Sequence, residues 1–192
     1  MTEAEAVAAL KRGDEQGLAD LVARFEGRAL RVAAVMLRDP SLAEDIVSQA
    51  FLKAFRSRDR LDPAMVFWPW LLTIVVNEAR TELRRRSIRE RLFQTLRRRP
   101  ATELDPAVQA ELNELGRWLL SAIASLPRVE REVVQLRFLL DMDEVSIAQA
   151  VGCPVGTVKT RIYRGRRRIQ RLATRELVDY LPARLLIGAP HD

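Results

Sequence analysis

Between Asp143 and Arg171 the chain admits few conformations. Val158, Ile162, Gly165, Ile169 and Leu172 recur at steps of three and four residues, which puts them on one stripe of a helix. Gly165 inside that stripe lets another helix approach closely. The shorter segment Glu144 to Val151 buries Ile147, Ala148 and Val151. Gly152-Cys153-Pro154 stands between the two segments. Gly152 can take the left-handed conformation that ends one helix, and Pro154 fits the first turn of the next, where its missing N–H does no harm. The pattern predicts two helices meeting at a tight turn.

The second of these helices is armed with Lys159, Arg161, Arg164, Arg166, Arg167, Arg168 and Arg171, and no acid follows until Glu176. Thr157, Thr160, Tyr163, Arg164 and Arg167 point away from the apolar stripe. A charge run alone is usually a solvated face. Here turn, stripe and charge agree, and a helix with one charge sign on its exposed side suits a DNA major groove. Across the chain Lys+Arg exceed Asp+Glu by 32 to 26, a formal net charge of +6. The excess is concentrated: besides the helix just described, Arg84 to Arg99 holds eight arginines against Glu90. Such a balance favours a polyanionic partner.

Other classes are disfavoured. Cys153 has no partner thiol for an internal disulfide, and the lone His191 leaves no His/Cys set for a metal. No cofactor is expected. The acids, such as Glu44-Asp45 and Asp141 to Glu144, fit caps and turns better than paired metal ligands, so an enzyme is not expected. The longest uncharged apolar run, Phe67 to Val76, has ten residues and cannot span a bilayer. Met1-Thr2-Glu3-Ala4-Glu5 lacks the basic-then-apolar layout of a signal peptide. The expectation is a soluble cytoplasmic protein with no membrane partner.

Nearly everything reads as helix, and no alternation is long enough for a strand. Thr2 and Glu5 predict a capping box for a first helix ending near Gly13. Asp14 caps a second, Glu15 to Arg38, with Leu18, Leu21, Val22, Phe25, Ala29, Val32 and Val35 on one side. After Asp39-Pro40, Ser41 and Glu44 resemble another capping box, opening a helix from Leu42 to Arg58. That helix turns Ala43, Ile46, Val47, Ala50 and Ala54 inward, with Phe51 and Phe55 flanking, and presents Asp45, Gln49, Leu52 and Arg56 outward. A loop, Asp59 to Val66, leads to a helix from about Trp68 to Arg86. A basic linker follows, ending near Asp105-Pro106. The next helical unit opens with Leu112, Leu115, Leu119, Ala122 and Ile123. Pro127 then leads a helix carrying Val129, Val133, Leu136 and Leu140. The fold class is all-α: two small helical domains joined by a flexible basic linker.

With both halves in view, the chain resembles a bacterial RNA polymerase sigma factor of the extracytoplasmic-function group, from roughly Leu10 to Glu176. Three motifs carry the likeness. Ala43-Glu44-Asp45-Ile46-Val47-Ser48-Gln49-Ala50-Phe51-Leu52-Lys53-Ala54-Phe55 is similar to the family's polymerase-binding helix, although Ser48-Gln49-Ala50 stands where Gln-Glu-Thr is frequent. Phe67-Trp68-Pro69-Trp70-Leu71-Leu72-Thr73-Ile74-Val75-Val76-Asn77-Glu78-Ala79-Arg80 resembles the helix that handles the minus-10 element, with Pro69 tolerable in a first turn. Leu126-Pro127 through Leu136-Arg137-Phe138, continuing into Gly152-Cys153-Pro154-Val155-Gly156-Thr157-Val158-Lys159-Thr160-Arg161, resembles the minus-35 reader.

The resemblance implies a factor that does no bond chemistry, lends promoter specificity to core RNA polymerase and helps open the duplex. Residues 1–89 would form sigma domain 2, 90–111 the linker, 112–176 sigma domain 4, and 177–192 a tail. Thr157, Lys159, Thr160, Arg161, Tyr163, Arg164, Arg167 and Arg168 would contact the minus-35 element, with Lys159, Thr160, Tyr163 and Arg164 facing bases and Arg161, Arg166, Arg167 and Arg168 holding phosphates. Arg58, Arg60, Asn77, Arg80, Thr81, Arg84 and Arg85 would handle the minus-10 element, with Arg86 following the backbone. Asp45, Gln49, Leu52 and Lys53 would meet the beta-prime coiled coil, and domain 4 would grip the beta flap. The resemblance also leaves room for an anti-sigma factor. Trp70 is expected in the core rather than as a stacking platform. The nearest rival is a two-domain regulator whose first domain senses a signal, which needs strands this sequence does not show.

Overall fold

A computed structural model describes residues 1–61, 66–93 and 114–173, and every regular element among them is helical. The chain divides into two units, Met1–Glu103 and Leu104–Asp192.

In the first unit, α1 (Glu3–Lys11) opens with the expected capping box: the Thr2 hydroxyl accepts from the Glu5 N–H and the Glu5 carboxylate accepts from the Thr2 N–H. Asp14 caps α2 (Glu15–Leu37) by accepting from Gln16 N–H at 2.9 Å. Gly17 is where α1 and α2 meet most tightly. A Cβ there would lie 2.6 Å from the Leu10 nitrogen and 2.8 Å from the Ala6 oxygen, so only glycine fits without moving backbone. Helix α3 (Pro40–Arg56) and helix α4 (Phe67–Phe93) complete the unit, with a single 3-10 turn, Arg58–Arg60, after α3. α2 packs on α1, α3 and α4, and α3 packs on α4. Leu10, Leu21, Leu61, Phe67, Leu71 and Leu72 are fully buried between them, each stabilising by roughly 1.5–3 kcal/mol.

Two expectations need correction here. Ser41 and Glu44 do not open α3. Asp39 does, its Oδ1 accepting from Leu42 N–H at 3.1 Å with Pro40 as first helical residue. Proline needs no N–H partner at that position and brings a helical φ, so the helix starts two residues earlier than a Leu42 start. It also ends earlier, at Arg56, with Ser57 as its C-cap. The second correction concerns α4, which continues past Arg86 to Phe93 and takes up the first residues assigned to the linker. Glu82 supplies the reason: its carboxylate lies 2.7 Å from Arg89, 3.8 Å from Arg86 and 4.0 Å from Arg85, which offsets the repulsion among these arginines along the helix. The rest of the expected linker, Leu112 and the expected tail lie outside the described residues.

The second unit holds α5 (Glu114–Ser125), α6 (Arg128–Val134), α7 (Glu144–Val151) and α8 (Val155–Leu172). α6 runs into a π-helical turn, Gln135–Leu139. α8 packs on α5, α6 and α7, burying Ile123, Leu136, Ile147 and Ile169. Val129 and Leu172, both expected inside, are exposed at 44% and 52%, and Leu140 is half-buried. Each of the two exposed residues sits near a helix end, Val129 in the first turn of α6 and Leu172 in the last of α8.

Candidate nucleic-acid and polymerase interfaces

The turn between α7 and α8 is built from local signals. Asp143 caps α7, its carboxylate accepting from Ser146 N–H at 2.8 Å and from the Ser146 hydroxyl at 2.7 Å. Those two bonds, backbone first, hold the Asp143 carboxyl below the usual carboxylate range. Gly152 ends α7 at φ +67, the left-handed region expected of it. Pro154 stands at the N-cap of α8 and its carbonyl accepts from Thr157 and Val158 N–H. Val158, Ile162, Gly165 and Ile169 are all buried. At Gly165 a Cβ would lie 2.6 Å from Val134 Cγ2, so α6 passes close to α8 as the stripe requires.

The outward face of α8 presents Thr160, Tyr163, Arg164 and Arg167 to solvent, with Tyr163 at 50% exposure. Thr157 is half-buried at the start of that face. The Thr160 hydroxyl donates to the Gly156 carbonyl at 2.9 Å. Thr157, Thr160, Arg161 and Arg164 come together with Val129, Glu130 and Gly156 around an open cleft of about 490 Å³. The remaining cations differ in how they are held. Lys159 Nζ lies 3.6 Å from the Glu144 carboxylate. Arg161 is half-buried and its Nη1 donates toward Cys153 Sγ at 3.6 Å. Arg168 Nε lies 2.9 Å from Glu130 Oε2. Arg166 is only 7% exposed, and burial pulls its pKa below the ordinary arginine value. Arg166 is therefore packed among the helices and does not stand on the outward face.

In the first unit Asn77, Thr81, Arg84 and Ile88 follow one another at steps of four, three and four along α4, and all are exposed. The Thr81 hydroxyl donates to the Asn77 carbonyl at 2.9 Å. Arg80 is half-buried beside this stripe and Arg85 is exposed. Arg86 is not on it: its guanidinium is half-buried and donates to Asp39 Oδ2 at 2.7 Å, joining the end of α4 to the start of α3. That hydrogen bond, ahead of the Leu42 N–H, holds the Asp39 carboxyl below its usual range. Arg58 is pinned near its own helix end, donating to the Phe55 carbonyl at 3.0 Å with its guanidinium 4.8 Å above the Phe55 ring, while Arg60 is exposed. Trp68 is buried and stacks on Phe25, with ring centroids 6.0 Å apart, whereas Trp70 is half-buried against Phe67.

On α3, Asp45, Gln49 and Leu52 are exposed, Leu52 at 52%. Lys53 is exposed too, but its amine lies 2.6 Å from Glu78 of α4. Sequence reasoning missed these carboxylate partners, Glu78, Glu82, Asp39 and Glu130. Only Glu82 leaves a local trace, at helical spacing from Arg85, Arg86 and Arg89. Among the described residues no cluster of His, Cys, Asp and Glu could hold a metal, and no helix is long and apolar enough to cross a membrane.

Comparison with known proteins gives this geometry a family. Residues 21–88 match sigma-70 region 2 and residues 116–169 match sigma-70 region 4. The RNA polymerase sigma factor CarQ of Myxococcus xanthus is 33% identical over 160 residues, covering 83% of this chain and 91% of that protein. The ECF RNA polymerase sigma factor SigW of Bacillus subtilis is 27% identical, over 84% of this chain and 91% of its own. Among solved structures, the sigma factor RpoE in complex with the anti-sigma factor NepR from Bartonella quintana is similar, with a TM-score of 0.61, 27% identity, and coverage of 83% of this chain and 97% of that one. Region 2 falls on the unit built by α1–α4 and region 4 on the helix-turn-helix unit. The chain thus belongs to the sigma-70 family as a sigma factor of the extracytoplasmic-function group, and it directs RNA polymerase to promoters for the initiation of transcription.

Proposed function

We propose that the two units divide promoter recognition, the second reading the minus-35 duplex through α8 and the first handling the minus-10 element through α4. The outward face of α8 carries this reading: Thr160, Tyr163, Arg164 and Arg167 are exposed over a buried apolar stripe, the arrangement a major-groove helix requires. Lys159, Thr160, Tyr163 and Arg164 meet base edges, and Arg164 reads guanine O6/N7, a pairing that discriminates by roughly 1–3 kcal/mol. Thr157, Arg161, Arg167 and Arg168 hold phosphates and set register. Because Glu130 already engages Arg168, that arginine gives up part of an ion pair when it binds.

In the first unit Asn77, Thr81 and Arg80 face the melted minus-10 segment, and Arg58, Arg60, Arg84 and Arg85 follow its backbone. Capturing an unstacked base costs a few kcal/mol, which these contacts offset. Asp45, Gln49, Leu52 and Lys53 dock on the beta-prime coiled coil, and the second unit meets the beta flap. Residues 1–89 act as sigma domain 2 and 112–176 as sigma domain 4, with 90–111 the linker and 177–192 a tail. An anti-sigma partner is a further expectation, since NepR is bound to the similar RpoE. The factor works in the cytoplasm, without bond chemistry of its own.

The test is equilibrium binding to matched and scrambled minus-35 duplexes. Arg164→Ala is expected to lose affinity on the matched duplex alone, by about ten- to a hundred-fold. Arg167→Ala is expected to weaken both duplexes alike. Equal losses on both duplexes for Arg164→Ala defeat the reading.

A further inference from the structure

Helix α1 carries none of the residues assigned to DNA or polymerase, and the sigma-70 region 2 match begins only at residue 21. Its two ends nevertheless touch the chain on either side of residues 62–65. At one end the half-buried Glu3 reaches α4. The N–H of Phe67, the first residue of α4, donates to Glu3 Oε1 at 3.1 Å. The first amides of a helix have no partner within it, so this carboxylate caps α4 and complements its dipole.

At the other end, Gly13 follows α1 at φ +83, and the Arg58 guanidinium lies against it. A Cβ at Gly13 would meet Arg58 Nε and Nη2 at 3.5 Å, an ordinary van der Waals contact. Arg58 opens the 3-10 turn after α3, and its carbonyl accepts from the Leu61 N–H at 3.0 Å. Leu61 and Phe67 are both fully buried. Helix α1 is itself tied down by the Thr2–Glu5 capping box, by Arg24 of α2 donating to the Met1 carbonyl, and by the close approach at Gly17. A nine-residue helix is about 13.5 Å long. That rigid length is set between Arg58 and the start of α4.

We propose that α1 is a brace, with Glu3 and Gly13 as positioning residues for promoter specificity. It fixes the two flanks of residues 62–65 relative to each other, and so sets where Arg58, Arg60 and the start of α4 meet the minus-10 strand. This rests on the reading that the first unit handles the minus-10 element. Phosphate contacts set the register in which bases are read, so a loosened flank costs discrimination as well as affinity.

The experiment uses holoenzyme, formed from the full chain and core RNA polymerase, on fork DNA whose single-stranded non-template minus-10 segment is matched or scrambled. Glu3→Ala is expected to lower the matched-over-scrambled affinity ratio by about five-fold, the factor a lost helix cap is worth. Glu3→Gln keeps an acceptor oxygen for the Phe67 N–H and should retain most of the ratio. Gly13→Ala, strained at its positive φ, should lower the ratio as well. Binding to a duplex minus-35 element should stay unchanged in each variant. Val32→Ala controls for stability: Val32 is buried in α2, about two turns past the Arg24 contact with Met1. That variant should lower Tm without moving the ratio. In the free chain, Glu3→Ala should speed amide exchange at Phe67, while Val75 in the middle of α4 keeps its rate.

An unchanged ratio for Glu3→Ala overturns the role in specificity. So does an equal fall for Val32→Ala at a matched loss of Tm, which reduces the effect to stability. Weaker holoenzyme assembly without DNA overturns it too, by assigning α1 to polymerase. A wild-type holoenzyme that prefers neither fork defeats the minus-10 reading and the effect on specificity with it. Faster exchange at Phe67 would then still establish α1 as the brace of the two flanks.

Discussion

α4 and α8 are both long basic helices, yet they hold their charge differently. α8 contains no acid along Val155–Leu172 and borrows carboxylates from its neighbours, Glu130 of α6 for Arg168 and Glu144 of α7 for Lys159. Among the described residues, Arg164 and Arg167 have no carboxylate within ion-pairing reach. α4 carries its own acids, and Glu82 alone gathers Arg85, Arg86 and Arg89. One helix keeps uncompensated cations for a duplex of high charge density. The other moderates its charge and stays helical where a run of arginines would otherwise repel. A basic stretch in a sequence is thus two different objects, depending on where its counter-charges come from.

The units also differ in how their cores tolerate change, and the largest expected effect lies there. Phe67 is fully buried in the first unit, touching Phe25 and Trp70. Phe67→Ala should destabilise that unit by about 3–5 kcal/mol. Urea unfolding followed separately in each unit checks this. An equal loss in the second unit would break the division into two cores.

The close approaches give a sharper contrast. At Gly17 a new Cβ meets backbone atoms at 2.6 and 2.8 Å, and at Gly165 it meets a side-chain methyl at 2.6 Å. Gly17→Ala should cost about 2–3 kcal/mol through overpacking. Gly165→Ala should cost less, about 1–2 kcal/mol, because the clash is with a buried side-chain methyl of Val134 rather than with backbone, and alanine favours the helix. Thermal unfolding of both variants orders them, and a larger loss at Gly165 would reverse the argument.

Much of this was readable from local pattern. Thr2 with Glu5, Asp14, Gly152 and the stripe Val158 to Ile169 each act within a turn or two, so spacing alone reveals them. The start of α3 was misread because Ser41-x-x-Glu44 also satisfies a capping pattern, and only the placement of Pro40 at the first helical position decides for Asp39. What spacing could not give is pairing across the chain. Arg86 and Asp39 are 47 residues apart, and Lys53 and Glu78 are 25 apart. Such partners depend on how α3 lies against α4. Arg166 illustrates the same limit: its position in a basic run reads as solvated, whereas the packed helices bury it.

The smallest effects separate the two aspartate caps. Both carboxyls are held below the usual range, Asp39 mainly by Arg86 and Asp143 mainly by Ser146. A depressed folded pKa means that the unfolded chain binds more protons near pH 4. The stabilisation is therefore present above the unfolded value of about 3.9 and is lost as pH falls through the folded one. At pH 7, Asp39→Ala and Asp143→Ala should each cost about 1 kcal/mol. Asp39→Ala should be the more salt-sensitive, since it alone removes an ion pair to another helix. Unfolding from pH 7 down to pH 2 should show wild type converging on each variant at the acid end. A gap that widens on acidification contradicts the sign.

The division of labour between the units is tested most directly by run-off transcription from a randomised promoter library, with core RNA polymerase carrying either the wild-type chain or Arg164→Ala. The account predicts two separated blocks of base preference, and only the upstream block flattens at a position in the variant. A single block, or a loss spread equally over both, would contradict it.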